Sequence, residues 1–466
     1  MAVIIPIRGL RYNPLIVEDM ADVVTPPYDV IDSVDQERYY RRNPFNIIRL
    51  EYGKILGADN EKNNRYTRAA ADYKNWLGQK VLIQEQKPAI YLYEQEFTAA
   101  GKKKIRSGIT CGFKLETYKK GKILPHEETI PKHKADRLQL MRACQANFSP
   151  VFSLYTDREN RVITTLKNTV KETPPDINFT DDYGEIHRMW VITDPDAITE
   201  VQRVMLDKRI FIADGHHRYE TALNYKKERE TNDTKPQMQA TGSATTTQKT
   251  MGSEPAYNYV MMTLVNIYDP GLIVFPTHRL IRNIGSLDVG LLVEQIKENF
   301  IVDEYDLDKN NFRQLLDMQE KRGLGAQSGQ KTQNEGEHHH VFGLYAGNNR
   351  FYQLTLKEDL DLAQMMPAGK STAWQKLDVS VLHTLIIEKH LGICGELRAK
   401  ADHITYTRGE ESAIDAVDRG DYQLAFFLNP TLVDEVTAIA GQGEKMPQKS
   451  TFFYPKLITG LVINQL

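Results

Sequence analysis

Ile210-Phe211-Ile212-Ala213-Asp214-Gly215-His216-His217-Arg218-Tyr219-Glu220-Thr221-Ala222 joins an apolar run to an acid, a glycine and then residues at helical spacing. Arg209–Ala213 predicts a buried strand, and Tyr219, Ala222 and Leu223 mark one face of a helix that starts at once. A strand passing straight into a helix is a building unit of α/β folds. Gly215 lets the backbone turn tightly and approach a ligand. The first amides of the helix have no partner within it, and with the helix dipole they favour an anion. His216, His217 and Arg218 add donors at the same end, and a guanidinium can grip phosphate with two parallel bonds. Asp214 has the wrong sign for phosphate, which points to a metal ion or a substrate hydroxyl beside it. The plainer alternative is a helix capped by Asp214, with its histidines exposed.

Upstream, Leu124-Pro125-His126-Glu127-Glu128-Thr129-Ile130-Pro131-Lys132-His133-Lys134-Ala135-Asp136-Arg137 is a loop bracketed by prolines that leads into a helix. It sets carboxylates able to take a proton beside cations able to neutralise phosphate, a pairing that phosphoryl transfer uses. A charged surface loop explains the composition equally well. Downstream, Lys445–Lys456 places lysines and hydroxyls, including Lys449, Ser450 and Thr451, between two prolines and next to aromatics. That patch reads as part of a ligand pocket or as an ordinary terminal strand. Pro276-Thr277-His278-Arg279-Leu280 follows an apolar strand and is a further candidate for a cleft wall. Walker, G-x-G-x-x-G, G-x-S-x-G and H-E-x-x-H motifs are absent from the sequence.

Farther out, turn signals and apolar runs alternate. Strands are expected at Ala89–Tyr93, Ile105–Phe113, Val151–Tyr155, Tyr257–Ile267, Ile404–Tyr406 and Leu424–Leu428. Helices are expected over 64–78, 134–147, 197–206 and 377–388. Val23–Ile31, with Pro26 and Pro27, reads as a rigid extended corner, and Asn43–Leu50 as a turn feeding a β-rich run. The polar tracts Lys226–Ser253 and Lys321–His340 read as flexible excursions, with Glu337–His340 in a solvated loop. The fold class expected is α/β, of mixed α+β character. Three regions follow: 1–104, a β-rich segment; 105–300, a catalytic core; and 301–466, a C-terminal α/β domain.

Bulk properties narrow the function. A chain of 466 residues exceeds one ordinary core. Its 41% hydrophobic content suits folded domains, and 59 basic against 62 acidic residues leave a net charge of -3. Without a basic excess, nucleic acid ranks behind small molecules as a partner. No apolar stretch is long enough to span a bilayer. Cys111, Cys144 and Cys394 are isolated, which reads as buried reduced thiols in a cytoplasmic protein. The sequence leaves the oligomeric state open.

The Asp214–Arg218 loop followed by Ala222 resembles the nucleotide loop of the ParB/sulfiredoxin superfamily, and within it that of the SerK-type free-serine kinases. Pro125-His126-Glu127 resembles their catalytic loop, and Ile404–Tyr406 with Lys449-Ser450-Thr451 resembles their C-terminal region. Pro26–Ile31 and Asp214–Arg218 together resemble the motifs of a large bacterial family. The resemblance implies a ParB/sulfiredoxin-like core and phosphoryl transfer from ADP or ATP, with Mg²⁺, to a small hydroxyl acceptor. Free L-serine, giving O-phosphoserine, is the leading acceptor. It implies Glu127 as general base, with Asp214 and His216 also catalytic and Asp214 as the metal ligand. Gly215, His217, Arg218, Lys132 and Arg137 would bind nucleotide phosphates; His126, Lys449, Ser450 and Thr451 would hold substrate. Two departures stand out: the long interval between Glu127 and Asp214, and Phe452 where the kinases carry arginine. The sulfiredoxin reaction needs a cysteine where His216 stands. A ParB-like protein binding nucleotide and DNA, or a ligand-binding regulator without turnover, are the alternative readings.

Overall fold

The computed structural model describes residues 1–99, 101–129, 131–233, 254–308, 311–323, 339–394 and 402–466. It divides into two compact units, Met1–Ile273 with Pro455–Leu466, and Val274–Tyr454. The fold is mixed α/β, as the sequence predicts.

The first unit is built on a nine-stranded sheet. Its strands are β1 (Ile4–Ile5), β2 (Ile90–Ala99), β3 (Lys102–Lys114), β4 (Ile123–Leu124), β5 (Val151–Tyr155), β6 (Ile177–Thr180), β7 (Ile186–Ile192), β8 (Ile210–Asp214) and β9 (Tyr259–Asn266). They lie in the order β4-β8-β5-β9-β3-β2-β7-β6, with β1 beside β3. The expected boundary at residue 104 cuts through the β2–β3 hairpin, where Ala99 pairs with Lys102 and Tyr91 with Thr110. Gly101 at positive φ turns that hairpin, and both of its strands are buried on both faces away from the turn. The helices that frame the site and its sheet are α1 (Arg65–Gly78), α2 (Pro131–Cys144), α3 (Arg161–Thr169), α4 (Pro195–Met205) and α5 (His216–Asp233), after two shorter ones at Ser33–Arg42 and Ile48–Glu51.

Alternation along the strands decides the layers. Ile109, Cys111 and Phe113 point to one face of the sheet and join Val162, Leu166, Val201, Met205, Tyr219 and Ala222 from α3, α4 and α5 in one core. On the opposite face Thr110 and Thr263 share a hydrogen bond of 2.7 Å. That face is covered by the returning C-terminal residues, with Leu457, Ile458, Leu461 and Val462 beside Tyr93 and Met189. The return is fixed by backbone bonds from Leu10 N–H to Ile463 O and from Thr459 N–H to Thr25 O, both 2.8 Å. Gly460 is at φ +101, and a Cβ there would stand 3.1 Å from Ile47 Cβ.

The second unit holds a six-stranded sheet of β10 (His278–Ile281), β11 (Phe300–Asp306), β12 (Val341–Tyr345), β13 (Arg350–Leu356), β14 (Ile404–Thr407) and β15 (Leu424–Phe427). All its pairings are antiparallel, in the order β11-β13-β12-β15-β10-β14. Helices α6 (Phe312–Gly323) and α7 (Glu410–Asp418) supply Leu315, Leu316, Ala413 and Val417 to its core. The expected boundary at residue 300 falls at the first residue of β11.

Several local expectations give way. Asn43–Leu50 does not feed a strand: Ile48–Glu51 is helical, because Asn46 Oδ1 accepts from Ile48 N–H at 2.9 Å and its amide holds Asp22 O. With Ser33–Arg42 and α1 also helical, the first hundred residues are not mainly β. Residues 377–388 form a helix that widens into a π-helical turn over His383–Glu388. Cys111 and Cys144 are buried but Cys394 is exposed, beyond the last helical turn before it. Lys226–Asp233 and Lys321–Gly323 end α5 and α6; the rest of both polar tracts, up to 253 and 338, lies outside the described residues. His340 is no part of a solvated loop. It is buried, with Nδ1 2.7 Å from Asp378 Oδ1.

Ile463 is wholly buried and pairs with Leu10 through its backbone. Truncating it, as Ile463→Ala, is expected to cost roughly 2–5 kcal/mol in urea unfolding. A change below about 1 kcal/mol would show that the C-terminal return does not belong to the folded core.

Candidate functional site

Strand β8 runs parallel to β4, with Ile210 opposite Ile123 and Phe211 opposite Leu124. Parallel neighbours end at the same edge of a sheet, so the residues after Leu124 and those after Ala213 are delivered side by side. On its other flank β8 pairs antiparallel with β5, and the register slips between Ile212 and Asp214. Ala213 is the extra residue of a bulge, a device that bends a strand and re-aims the side chain after it. Gly215 follows at φ +86, and a Cβ there would stand 2.8 Å from Arg218 Nε. The junction needs glycine for both conformation and space.

Two histidines lock the loops together. His126 is fully buried; its Nδ1–H donates to Ile212 O at 2.7 Å, and its backbone N–H donates to His216 Nε2 at 3.2 Å. The two rings meet edge to face, with centroids 4.7 Å apart. Burial pushes His126 down to about 4, so it is neutral near pH 7. Because His216 Nε2 accepts a bond, the neutral His216 ring carries its proton on Nδ1, which lies 3.9 Å from Glu127 Oε2. Glu127 keeps 28% of its side chain exposed.

Asp214 faces two cations. Its Oδ2 is 3.3 Å from Arg218 NH2 and 3.6 Å from Lys456 Nζ. Arg218 also donates through NH1 to Pro150 O, which fixes its plane. Lys456 comes from the returning C-terminal segment, and its carbonyl is held by Gln95 Nε2 at 2.9 Å. Lys456 closes the patch quoted from the sequence, but nothing there singles it out from Lys445 or Lys449.

The remaining candidates divide. His217 points to the other side of the helix start, edge-on to His133 at 5.2 Å. Burial and then the neighbouring His133 push it down to about 4. Thr129 and Lys134 both bind Glu220, at 2.6 and 2.9 Å, and so pin the end of the Glu127 loop and the start of α2 against α5. Lys132 stands exposed on the first turn of α2. Arg137 is not a free phosphate ligand: it is buried, pairs with Asp136 at 2.6 Å and Glu51 at 3.3 Å, and lies 4.1 Å over the Tyr28 ring. The Pro26–Ile31 motif therefore meets this site through Tyr28, and Asp29 acts electrostatically on His217.

Lys449, Ser450 and Thr451 belong to the second unit. Lys449 sits at φ +57 with its carbonyl held by the buried Arg279. The Ser450 hydroxyl donates to Pro447 O at 2.6 Å, and its carbonyl accepts from Thr431. Ser450 is thus a buried turn residue rather than an open substrate contact. The Phe452 ring is covered by the Arg408 guanidinium at 3.9 Å. His278 and Arg279 are buried in β10 and line no open cleft.

The sequence matches the family described as "Protein of unknown function (DUF1015)" over residues 4–380. The search of curated proteins found no match. Among solved structures, a conserved hypothetical protein from Pyrococcus furiosus is similar at 14% identity and a TM-score of 0.30, covering 73% of this chain and 92% of its own. A free serine kinase in complex with AMP is similar at 13% identity and 0.32, covering 73% and 89%. SbnI with a C-terminal truncation, from Staphylococcus aureus, follows at 11% and 0.30, covering 74% and 84%. No helix of the described residues is long and apolar enough to cross a membrane.

The depressed His126 gives a signed expectation. Its folded value lies below the unfolded one, so the unfolded chain binds more protons in between. The stability it contributes is complete above about pH 6.5 and is lost as pH falls toward about 4, by at most about 1.4 kcal/mol per pH unit. His217, shifted the same way, adds to it. Unfolding free energy measured from pH 7 to 4 should fall, and less steeply in His126→Gln; equal slopes would remove His126 as a cause.

Proposed function

The chain belongs to the DUF1015 family, and we propose that it is a phosphotransferase moving a phosphoryl group from ADP or ATP to a small hydroxyl acceptor, with free L-serine the leading acceptor. The observation that carries this reading is the shared edge of β4 and β8. A partly exposed carboxylate, Glu127, stands 3.9 Å from His216 at the start of a helix that also holds Arg218, with Lys456 beside Asp214. The ParB/sulfiredoxin-like character of the core belongs to the same proposal.

Each group has a task that its surroundings allow. The first amides of α5 point at whatever sits before Gly215 and take phosphate oxygens. Arg218 and Lys456 are drawn up by Asp214 and offset the charge spread over those oxygens. Glu127 takes the proton of the acceptor hydroxyl as its oxygen bonds to phosphorus. The bond from phosphorus to the bridging oxygen of the nucleotide breaks, and the leaving nucleotide keeps that electron pair. His216, neutral with its proton on Nδ1, orients the Glu127 carboxylate without neutralising it. His126 is too deeply buried to touch substrate and acts as the post that holds His216 and the Ile212 carbonyl.

The residues present fit a phosphate-bound Mg²⁺. Such an ion needs only one or two carboxylates from protein, and Asp214 at the end of β8 supplies one. Asp214 would hold the ion, and its chemistry there is to neutralise phosphate charge.

Glu127→Gln keeps the shape and removes the base. O-phosphoserine formation, followed by mass spectrometry with ADP or ATP and L-serine, should fall by roughly a hundredfold or more while nucleotide affinity survives. Lys456→Ala should raise the nucleotide KM with a smaller effect on kcat. Arg218→Ala should weaken nucleotide binding in calorimetry. Full turnover in Glu127→Gln would rule out that base. A wild-type chain that ignores nucleotide but binds duplex DNA would favour the partitioning-protein reading. Nucleotide binding without turnover on any hydroxyl compound would favour a regulator.

A further inference from the structure

Asp181, Glu185 and His187 lie on the hairpin that joins β6 to β7, and no step proposed above uses them. Glu185 and His187 are buried at 5% and 0% exposure, and Asp181 is half-buried. One ligand atom from each falls within 4.8 Å of the other two. The hairpin sets this up from its backbone. Asp181 N–H donates to Glu185 O at 2.9 Å, and Gly184, at φ +77, turns the chain between them. Asp181 Oδ1 accepts from the Tyr183 and Glu185 amides, both at 2.9 Å. Oδ2 is left to face His187, and strand alternation brings Glu185 and His187 to the same side of the chain.

The histidine supplies an independent observation. Its Nε2 is buried, points into the cluster and makes no hydrogen bond of acceptable geometry, lying 3.3 Å from Asp181 Oδ2. Its other nitrogen, Nδ1, is 2.7 Å from the Tyr93 hydroxyl, and the ring stacks on Phe179 with centroids 4.8 Å apart. A metal-binding histidine has this arrangement: the outer nitrogen is tied to an oxygen, the ring plane is fixed, and the inner lone pair is aimed at the ion. Tyr93 also feels Arg106, Glu185 and Asp181 electrostatically.

We propose that Asp181, Glu185 and His187 bind one divalent transition-metal ion, Zn²⁺ or a similar ion, which clasps the β6–β7 hairpin as a structural site. One imidazole with two carboxylates suits such an ion, with water completing the shell, and the side chains need to close by a rotamer adjustment to reach about 2.1 Å from it. The competing arrangement is an imidazolium at His187 paired with Asp181, which needs no ion.

The test loads the full chain, stripped with chelator, with Zn²⁺ or Co²⁺ and desalts it. The wild type should retain one equivalent by elemental analysis, show the visible absorption of Co²⁺ in a low-symmetry site, and melt at higher temperature with metal than without. Asp181→Asn and His187→Ala should each lose that equivalent, its absorption and the metal-dependent rise. Asp214→Asn and His339→Ala, which alter the proposed nucleotide site and the polar histidine tract, should keep all three. If His187→Ala does not fold, Glu185→Gln replaces it in the same comparison. A wild type that retains no metal and melts the same with and without it overturns the proposal. So does a retained equivalent that survives loss of Asp181 and His187.

Discussion

Where β8 stops pairing, the chain has to do three things within three residues. The bulge at Ala213 shifts the register against β5, Asp214 turns outward, and Gly215 takes a positive φ that lets α5 begin without a connecting loop. The amides of the helix start are then presented at the end of a strand buried on both flanks, a rigid place for them. A longer connection would give the same groups freedom, and ordering them on a ligand would cost binding energy. The close approach of Arg218 to Gly215 shows how tightly that corner is drawn, since a Cβ would meet the guanidinium. His126 extends the constraint to the neighbouring loop, because one residue binds both Ile212 and His216.

Charge around this corner is sorted by burial. Arg137 is answered by Glu51 and Asp136, and Ser149 holds Glu51 in turn. Removing one partner from such a buried pair leaves an uncompensated charge, so these groups hold the scaffold together and are poor candidates for ligand exchange. Against the 5% of Arg137 and Glu51, the side chains of Glu127, Asp214 and Lys456 are 28, 19 and 16% exposed. Asp214 and Lys456 stand 3.6 Å apart, and Glu127 stands 3.9 Å from His216. That contrast, more than the residue types, separates the part of the motif that supports from the part that can act.

Much of the fold was legible because single strands carry strong local signals. Ile210–Ala213, Val151–Tyr155 and Ile105–Phe113 are apolar-rich runs, and they form strands as their patterns predict. The candidate site was legible as two motifs, since His126 and Glu127 lie within a proline-bracketed loop and Asp214-Gly215 leads straight into a helix. What brings them together was not legible: β4 is only Ile123 and Leu124, too short for any periodicity to show, yet its parallel pairing with β8 fixes the meeting. Arg137 misled for a related reason. Its partner Glu51 lies 86 positions away, and a sequence offers no sign that a cation is already answered. Ile47–Leu50 misled because β-branched propensity was outweighed by the cap at Asn46 and by burial against the C-terminal return.

The interval between Glu127 and Asp214 is not a loop thrown out from the site. It contains α2, β5, α3, β6, β7 and α4, which complete the sheet and its covering helices. The long spacing is therefore spent on scaffold: β5 inserts between β8 and β9, and α2 carries the Lys134 charge that pins its start to α5. The C-terminal return does comparable work from the opposite end of the chain. Gln95 on β2 grips the carbonyl of Lys456, Leu457 and Ile458 bury themselves beside it, and the ammonium is left near Asp214. A lysine side chain is flexible, but its backbone here is fixed on both sides, so less entropy remains to be lost when an anion arrives. The cation at this strand edge is thus placed by packing on the far face of the sheet, and a substitution that loosens the tail should reach the site through Lys456 before it unfolds the core.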